Sequence, residues 1–332
     1  VVTAGHDGGP HEGWERSMVV VGTWNLENLY RPGGEFGPVG EQDYRAKLAA
    51  MAATINGFAP DVLGVQEVGQ PEALADLVAE LGGEWHTVLS GHPDARGIRV
   101  GVISRLPLAA QADVTAFTAP LAAVQTADTG PLTGQTSRGM LAVRTEPAPG
   151  VTLDVVVVHL KSKLLSFPGG RFQPRDEGER ARYGAYALYR RAAEATTLRG
   201  VADRLTGGEG QHRPVVVCGD FNDEPQAATT QIVLGPPGSE LGTPGAFRPD
   251  RGDPWRLWNL YSLLPEGERF SRVHNGRGEL IDHILVSRAL LDKVDEMRSV
   301  VGHGLPSVTE DPGPRRNATD SDHAPLYARL RL

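Results

Sequence analysis

A chain of 332 residues with 40% hydrophobic content can bury a substantial core, as one large domain or two of average size. Its formal net charge of −8 argues against a protein that coats nucleic acid non-specifically. No apolar run approaches the roughly 18 residues that span a bilayer, and a single cysteine, Cys218, excludes an internal disulfide framework.

Residues 1–17 read as a polar, glycine-rich N-terminal extension without the apolar core of a signal peptide. The chain starts at Val1, which leaves a removed leader open, so cytoplasmic and secreted settings both stand. Met18 to Trp24 predicts a buried strand closed by Asn25. Asp43 to Phe58 has helical spacing, with Leu48, Met51, Ala52 and Ile55 on one side. Asp61 to Gln66 predicts a second strand ending at Glu67. Pro71 to Leu81 predicts a helix, with Pro in its first turn and Gly82-Gly83 past its end. Strands follow at Trp85–Leu89, Ile98–Ser104, Gly139–Thr145 and Val151–Leu160, the last carrying four consecutive valines before His159. Glu177 to Leu205 predicts a long helix with Tyr186, Leu188, Ala193 and Leu198 among its buried residues, stopped by Gly207-Gly208.

Next comes Val215-Val216-Val217-Cys218-Gly219-Asp220-Phe221-Asn222, an apolar strand that breaks abruptly at a carboxylate and an amide. Taken alone it fits equally a turn that caps a helix near Pro225. A short helix near Gln226–Leu234, a Pro/Gly-rich connection, and strands at Leu280–Val286 and Ala324–Leu332 complete the chain. Alternating strand–helix units mixed with closely linked strands predict mixed sheets with helices outside. Between Lys161 and Arg204, ten bases face five acids, either a solvated helix face or a basic rim over a phosphate-binding cleft.

Six polar clusters fall at strand ends: Asn25, Glu67, His159, Asp220 with Asn222, Asp282, and Asp322-His323. In a mixed sheet the end of one strand lies beside the start of an antiparallel neighbour, so all six can meet on one edge. Singly, each has a plainer reading. His159 fits a core histidine, Asp282 a strand-edge salt bridge, Lys161 and Lys163 a solvated strand end, and Arg99 and Arg138 structural roles. Jointly, four carboxylates, two imidazoles and two amides suit a hard cation such as Mg²⁺ or Mn²⁺ together with substrate phosphate. Zinc is less natural, because no His pair has helical ligand spacing. The imidazoles suit donation to a phosphate oxygen or proton transfer, with pKa values expected above the free value.

Trp24-Asn25-Leu26-Glu27-Asn28, Val65-Gln66-Glu67, His159-Leu160-Lys161-Ser162-Lys163, Gly219-Asp220-Phe221-Asn222, Ile281-Asp282-His283 and Ser321-Asp322-His323 occur in a telling order. It is the order found in the endonuclease/exonuclease/phosphatase superfamily, which the chain resembles from about Val19 to Leu332. The resemblance implies an α/β (α+β) fold: a DNase I-like, four-layered α/β/β/α sandwich of two mixed sheets, as a single domain over 18–332. It implies Glu67 as principal metal ligand, with Asn25 and Asp322 close by and Glu27 near a second metal position. It implies Asp220 as the group that orients or deprotonates water and Asn222 as a holder of phosphoryl oxygens. His323, paired with Asp282, would contact phosphate, and His159 would protonate the leaving group or bind phosphate.

The implied activity is a divalent-metal-dependent phosphoesterase, in the first instance a nuclease acting on DNA or RNA, with Lys161 and Lys163 as substrate contacts. A phosphatase or phosphodiesterase for a small or lipid-linked phosphate ester is the second reading, and a non-catalytic binding protein on the same fold the third. A monomer without a transmembrane segment is expected. Specificity is expected in the loops 31–40, 116–137, 166–177, 235–254 and 305–319.

Overall fold

In the computed structural model, residues 18–302, 304–311 and 313–332 are described. The N-terminal extension expected over 1–17 lies outside the described residues. The elements in order are β1 (Met18–Leu29), α1 (Glu41–Phe58), β2 (Val62–Val68), α2 (Pro71–Leu81), β3 (His86–Leu89), β4 (Arg99–Ser104), β5 (Ala109–Ala116), β6 (Gln135–Ala148) and β7 (Val151–His159). Then come α3 (Glu177–Thr206), β8 (Val215–Asp220), α4 (Ala228–Leu234), β9 (Leu257–Asn259), β10 (Arg272–His274), β11 (Arg277–Glu279), β12 (Asp282–Ser287), α5 (Arg288–Leu291), β13 (Val294–Ser299), β14 (Ser307–Val308) and β15 (Leu326–Arg331).

Two six-stranded mixed sheets stack face to face, ordered β13-β15-β1-β2-β4-β3 and β5-β6-β7-β8-β12-β9, and β11-β10-β14 forms a small third sheet. Residue parity explains the layering. Val19, Val21, Val62 and Val102 of the first sheet meet Val155, Val157, Val216, Cys218 and Ile284 of the second in one core. Their neighbours in sequence face outward: Val20, Leu63 and Val65 pack on α1 and α2, and Val156, Val158 and Val217 pack on α3. The four valines of β7 are apolar in succession because both faces of that strand are covered. The four-layered α/β/β/α sandwich implied by the resemblance is the fold observed.

The helices follow local chemistry. Pro71 opens α2. Asp176 caps α3 by accepting from Glu179 N, and Gly207 closes it in the left-handed region. Ala193 and Leu198 of α3 are buried as expected, but Leu188 is 45% exposed and Tyr186 only half-buried. The first half of α3 buries Tyr183, against Phe167, and Ala187 instead, and the α3 residues in the core shared with the sheet come from its second half: Ala195, Leu198, Val201 and Ala202. Strands β5 and β13 also escaped the sequence reading. They are edge strands with polar, half-exposed patterns, AAQADVTA and VDEMRS, and so lack an apolar signature.

Pairing direction gathers the strand ends. β1 runs parallel to β2 and antiparallel to β15; β7 runs parallel to β8, and β8 antiparallel to β12. The ends of β1, β2, β7 and β8 therefore share one edge with the starts of β12 and β15. Gly219 is required at that edge: its φ is +139°, and a Cβ there would lie 2.0 Å from Val158 O. Gly219→Ala is expected to cost roughly 3 kcal/mol or more by combining backbone strain with a clash that side chains cannot relieve. Urea unfolding measures this, and an unchanged midpoint would refute the close approach.

Candidate active site

Register places three of the expected residues in a row on the second sheet. His159 pairs with Asp220 across β7 and β8, and Asp220 pairs with Asp282 across β8 and β12. Opposite them, the first sheet brings Asn25 from the end of β1, Glu67 from β2, and Asp322 and His323 from the turn before β15. Trp24 Nε1 donates to His323 O at 2.8 Å, Ser321 Oγ to Asn25 O at 2.6 Å, and His323 N to Ser321 Oγ at 3.0 Å. Trp24 and Ser321 are thus the struts of the turn. Their signal lay within the quoted motifs, but as packing residues rather than chemistry.

Two side-chain hydrogen bonds join the sheets at this edge. Asn25 Nδ2 donates to Asp220 Oδ2 at 3.0 Å and reaches Glu67 Oε1 at 3.4 Å. His323 Nδ1 and Asp282 Oδ2 are 2.7 Å apart, while Asp282 Oδ1 is buried with no partner. Asp220, Asp282 and His323 offer ligand atoms within 4.8 Å of one another. Asp220 Oδ1 accepts from Asn222 N at 2.8 Å, and Asn222, held at φ 54°, donates Nδ2 to Leu160 O. Glu67 Oε2 accepts from Asn28 N at 2.9 Å. His159 Nε2 lies 3.4 Å from Asp220 Oδ2 and 4.0 Å from Glu67 Oε1.

Burial sets the charge states. For His323, burial disfavours the imidazolium, but the Asp282 and Asp322 charges and the Asp282 hydrogen bond outweigh it and push the pKa up to about 10. Asp220 is pushed up to about 7 by burial and by Asp282, against the pull of His323. Asp322 is also buried, yet His323 and Arg272 hold its carboxyl below the usual range; Arg272 Nε donates to Asp322 Oδ2 at 3.2 Å. His159 departs from expectation. Burial, then Arg138 and His323, hold it well below its free value despite the nearby carboxylates, so this imidazole is neutral.

Glu27 stands behind the cluster rather than in it. Both its carboxylate oxygens accept from Arg315 at 2.6 Å, Oε2 also accepts from Asp322 N, and its carbonyl accepts from buried Lys47 Nζ. Burial and the Asp322 charge raise its pKa to about 7. Lys161 Nζ donates to Ser162 O and Leu164 O, and Lys163 Nζ lies 3.2 Å from Asp223 Oδ1 at the rim. The basic rim expected from the α3 region is largely neutralised: Arg180 pairs with Glu177, Arg182 with Asp128, Arg190 with Glu194 and Arg191 with Asp223. Sequence spacing is compatible with Glu177 and Glu194 as helical partners, but it could not show Asp128 and Asp223, which come from distant segments.

The donor set fits a divalent cation. Glu67, Asp220, Asp282 and Asp322 outweigh the single imidazolium of His323 and the guanidinium of Arg272. The orphaned Asp282 Oδ1 and the incompletely bonded Glu67 Oε1 leave oxygen acceptors at this edge. No helix among the described residues is long and apolar enough to cross a membrane.

A model of the Endonuclease/Exonuclease/phosphatase family matches residues 22–323. No curated protein sequence matches the chain. Among solved structures, truncated TDP2 of Caenorhabditis elegans is similar, with a TM-score of 0.55 and 15% identity over 95% of this chain and 98% of that one. A mannosyl-6-phosphatase of Bacteroides thetaiotaomicron gives a TM-score of 0.55 and 14% identity, covering 95% and 100%. The human Nocturnin catalytic domain gives 0.52 and 17%, covering 94% and 93%. At such identities the likeness is one of fold.

The raised pKa of His323 has a stability consequence. Its proton is bound in the folded chain up to about pH 10 but is released from the unfolded chain near 6.5. The stabilisation is therefore complete below pH 6.5 and lost as pH rises to about 10. Unfolding free energy should fall across that window, and His323→Gln should flatten the fall. A variant with the slope of the parent would contradict the buried imidazolium.

Proposed function

The chain belongs to the endonuclease/exonuclease/phosphatase family, and we propose that within it the protein is a divalent-metal-dependent phosphoesterase that hydrolyses phosphodiester bonds of a nucleic acid. The observation that carries this reading is the bridge between the sheets, in which Asn25 reaches Asp220 and His323 reaches Asp282 at a carboxylate-rich edge.

Glu67, with Asn25 and Asp322, would hold the metal, Mg²⁺ or in its place Mn²⁺. When bound, such an ion would polarise the phosphoryl group and offset its developing negative charge. Glu27, engaged by Arg315, supports Asp322 from behind instead of offering free oxygens. His323 keeps Nδ1 on Asp282 and leaves Nε2–H for a phosphoryl oxygen, and its proton persists across neutral pH. Asp220 orients the attacking water and accepts its proton, a task suited to a carboxyl with a pKa of about 7. Asn222, braced on Leu160 O, and Asn25 offer amide hydrogens. His159 begins neutral, with Nε2 3.4 Å from Asp220 Oδ2, and would offer a ring nitrogen to the ester. Lys161 and Lys163 line the rim on the β7 side.

A second reading, hydrolysis of a small phosphate ester, is favoured by the ion-paired state of Arg180, Arg182, Arg190 and Arg191. These guanidiniums would have to exchange partners before they could track a duplex backbone. Turnover of DNA, RNA, phosphomonoesters and inositol phosphates in Mg²⁺ or Mn²⁺ separates the two readings.

Asp220→Asn and His323→Gln are each expected to lower kcat by about 10² or more on any ester that is turned over, with the fold retained. Turnover like that of the parent by either variant would sink the mechanism. Glu67→Gln should raise the Mg²⁺ concentration needed for half-maximal rate by roughly tenfold or more, and chelation should abolish the parent's activity. Full activity in a chelator would overturn the metal assignment.

A further inference from the structure

The β6–β7 side of the site carries three cations, Arg138, Arg96 and Lys161, of which only Arg138 meets a carboxylate among the described residues. Arg138, only 10% exposed, donates Nη1 to His159 O at 3.3 Å and sets Nη2 3.0 Å from Asp94 Oδ2. Its Nε is buried and has no partner. Asp94 also accepts from the backbone N of Arg96, which brings that residue to the same rim. The Arg96 guanidinium lies 4.8 Å from the Phe36 ring centroid and donates to Asn28 Oδ1; the backbone N of Asn28 in turn holds Glu67. Lys161, two residues past His159, bonds through Nζ only to carbonyl oxygens.

The carboxylates within this neighbourhood are already engaged: Asp94 by Arg138, Glu194 by Arg190 and by Lys161 N, and Asp223 by Arg191 and Lys163. Among the described residues, neither Arg96 nor Lys161 has a carboxylate within ion-pair distance. Burial, then the charge of Arg138, pulls Lys161 down to about 8, against an opposing pull from Glu194. After burial, the charges of Arg138, Lys161 and Arg96 also bear on His159.

We propose that Arg138, Lys161 and Arg96 form a second anion subsite beside His159, which takes a further phosphate group of the substrate. The subsite rests on the phosphoesterase reading and narrows it to esters that carry two phosphates. A structural pin accounts for Arg138 Nη1 and Nη2 but leaves Nε unused, and it gives Arg96 and Lys161 only neutral acceptors, Asn28 Oδ1 for the first and two backbone carbonyls for the second. A tetrahedral phosphate supplies acceptors to all three, each as a charge-assisted bond. The second phosphate is either directly attached, as in a diphosphate, or one nucleoside away, as along a nucleic-acid strand.

Calorimetric titration in Mg²⁺ with thymidine 5′-phosphate, thymidine 3′,5′-bisphosphate and inorganic pyrophosphate tests this. The parent should bind the bisphosphate or pyrophosphate at least tenfold more tightly than the monophosphate, and whichever of the two gains identifies the spacing. Arg96→Ala should remove about tenfold of that gain while monophosphate affinity stays within twofold. Arg96→Lys should keep part of it. Equal affinity of the parent for all three ligands would overturn the subsite. So would an equal loss on mono- and bisphosphate in Arg96→Ala, which would mark a general charge effect. If the gain is present but no phosphate ester is hydrolysed, the subsite stands and the proposed function falls.

Discussion

Everything at the functional edge depends on the burial of one imidazolium between carboxylates. A charged group withdrawn from water is tolerated only when it is paired and hydrogen-bonded. His323 meets that condition through Asp282, with Asp322 and Asp220 adding their fields. Because Asp282 and Asp220 belong to one sheet while His323 and Asn25 belong to the other, the pairing also fixes how the two sheets meet. Removing one partner leaves an uncompensated charge at the sheet junction, and for that reason the site and the fold are not independent here.

The second constraint is backbone conformation. Glu27, Asn28, Glu67 and Asn222 all hold positive φ, between 44° and 61°. Left-handed backbone at non-glycine residues is unfavourable and persists where surrounding contacts over-determine it. Here they do: Asn25 Oδ1 accepts from Glu27 N, Glu67 accepts from Asn28 N, and Asp220 accepts from Asn222 N. The pairing of β1 with β2 shifts register between Asn25 and Leu29, at the same place. The strands thus end in turns that swing polar side chains and amide hydrogens toward the edge, with each carboxylate holding the turn that presents its neighbour.

Much of this was legible in the chain. The valine runs marked strands covered on both faces, and the abrupt polar residue after each run marked the edge; a mixed sheet was the one arrangement that could gather all six clusters. What could not be read were partners distant in sequence. Glu27 sits beside Asn25 in sequence, yet its carboxylate belongs to Arg315, 288 residues away. The surplus of bases between Lys161 and Arg204 suggested a free basic rim, but Asp128 and Asp223 neutralise part of it from other segments. His159 and His323 are both buried strand-end histidines, and their surroundings separate them: burial and then Arg138 depress the first, while Asp282 and Asp322 outweigh burial and raise the second.

The sequence by itself determined mixed sheets with helices outside and the polar residues that close six strands, because hydrophobic periodicity is local and strand ends can be read one at a time. The four-layered sandwich was implied by the family resemblance. The tertiary structure alone decided the charge on each titratable group, the commitment of Glu27 to Arg315, and the lack of a carboxylate partner for Lys161 and Arg96 among the described residues. Electrostatic states are sums over neighbours in space. Those neighbours are brought together by pairing direction and register, which no single segment of the chain encodes.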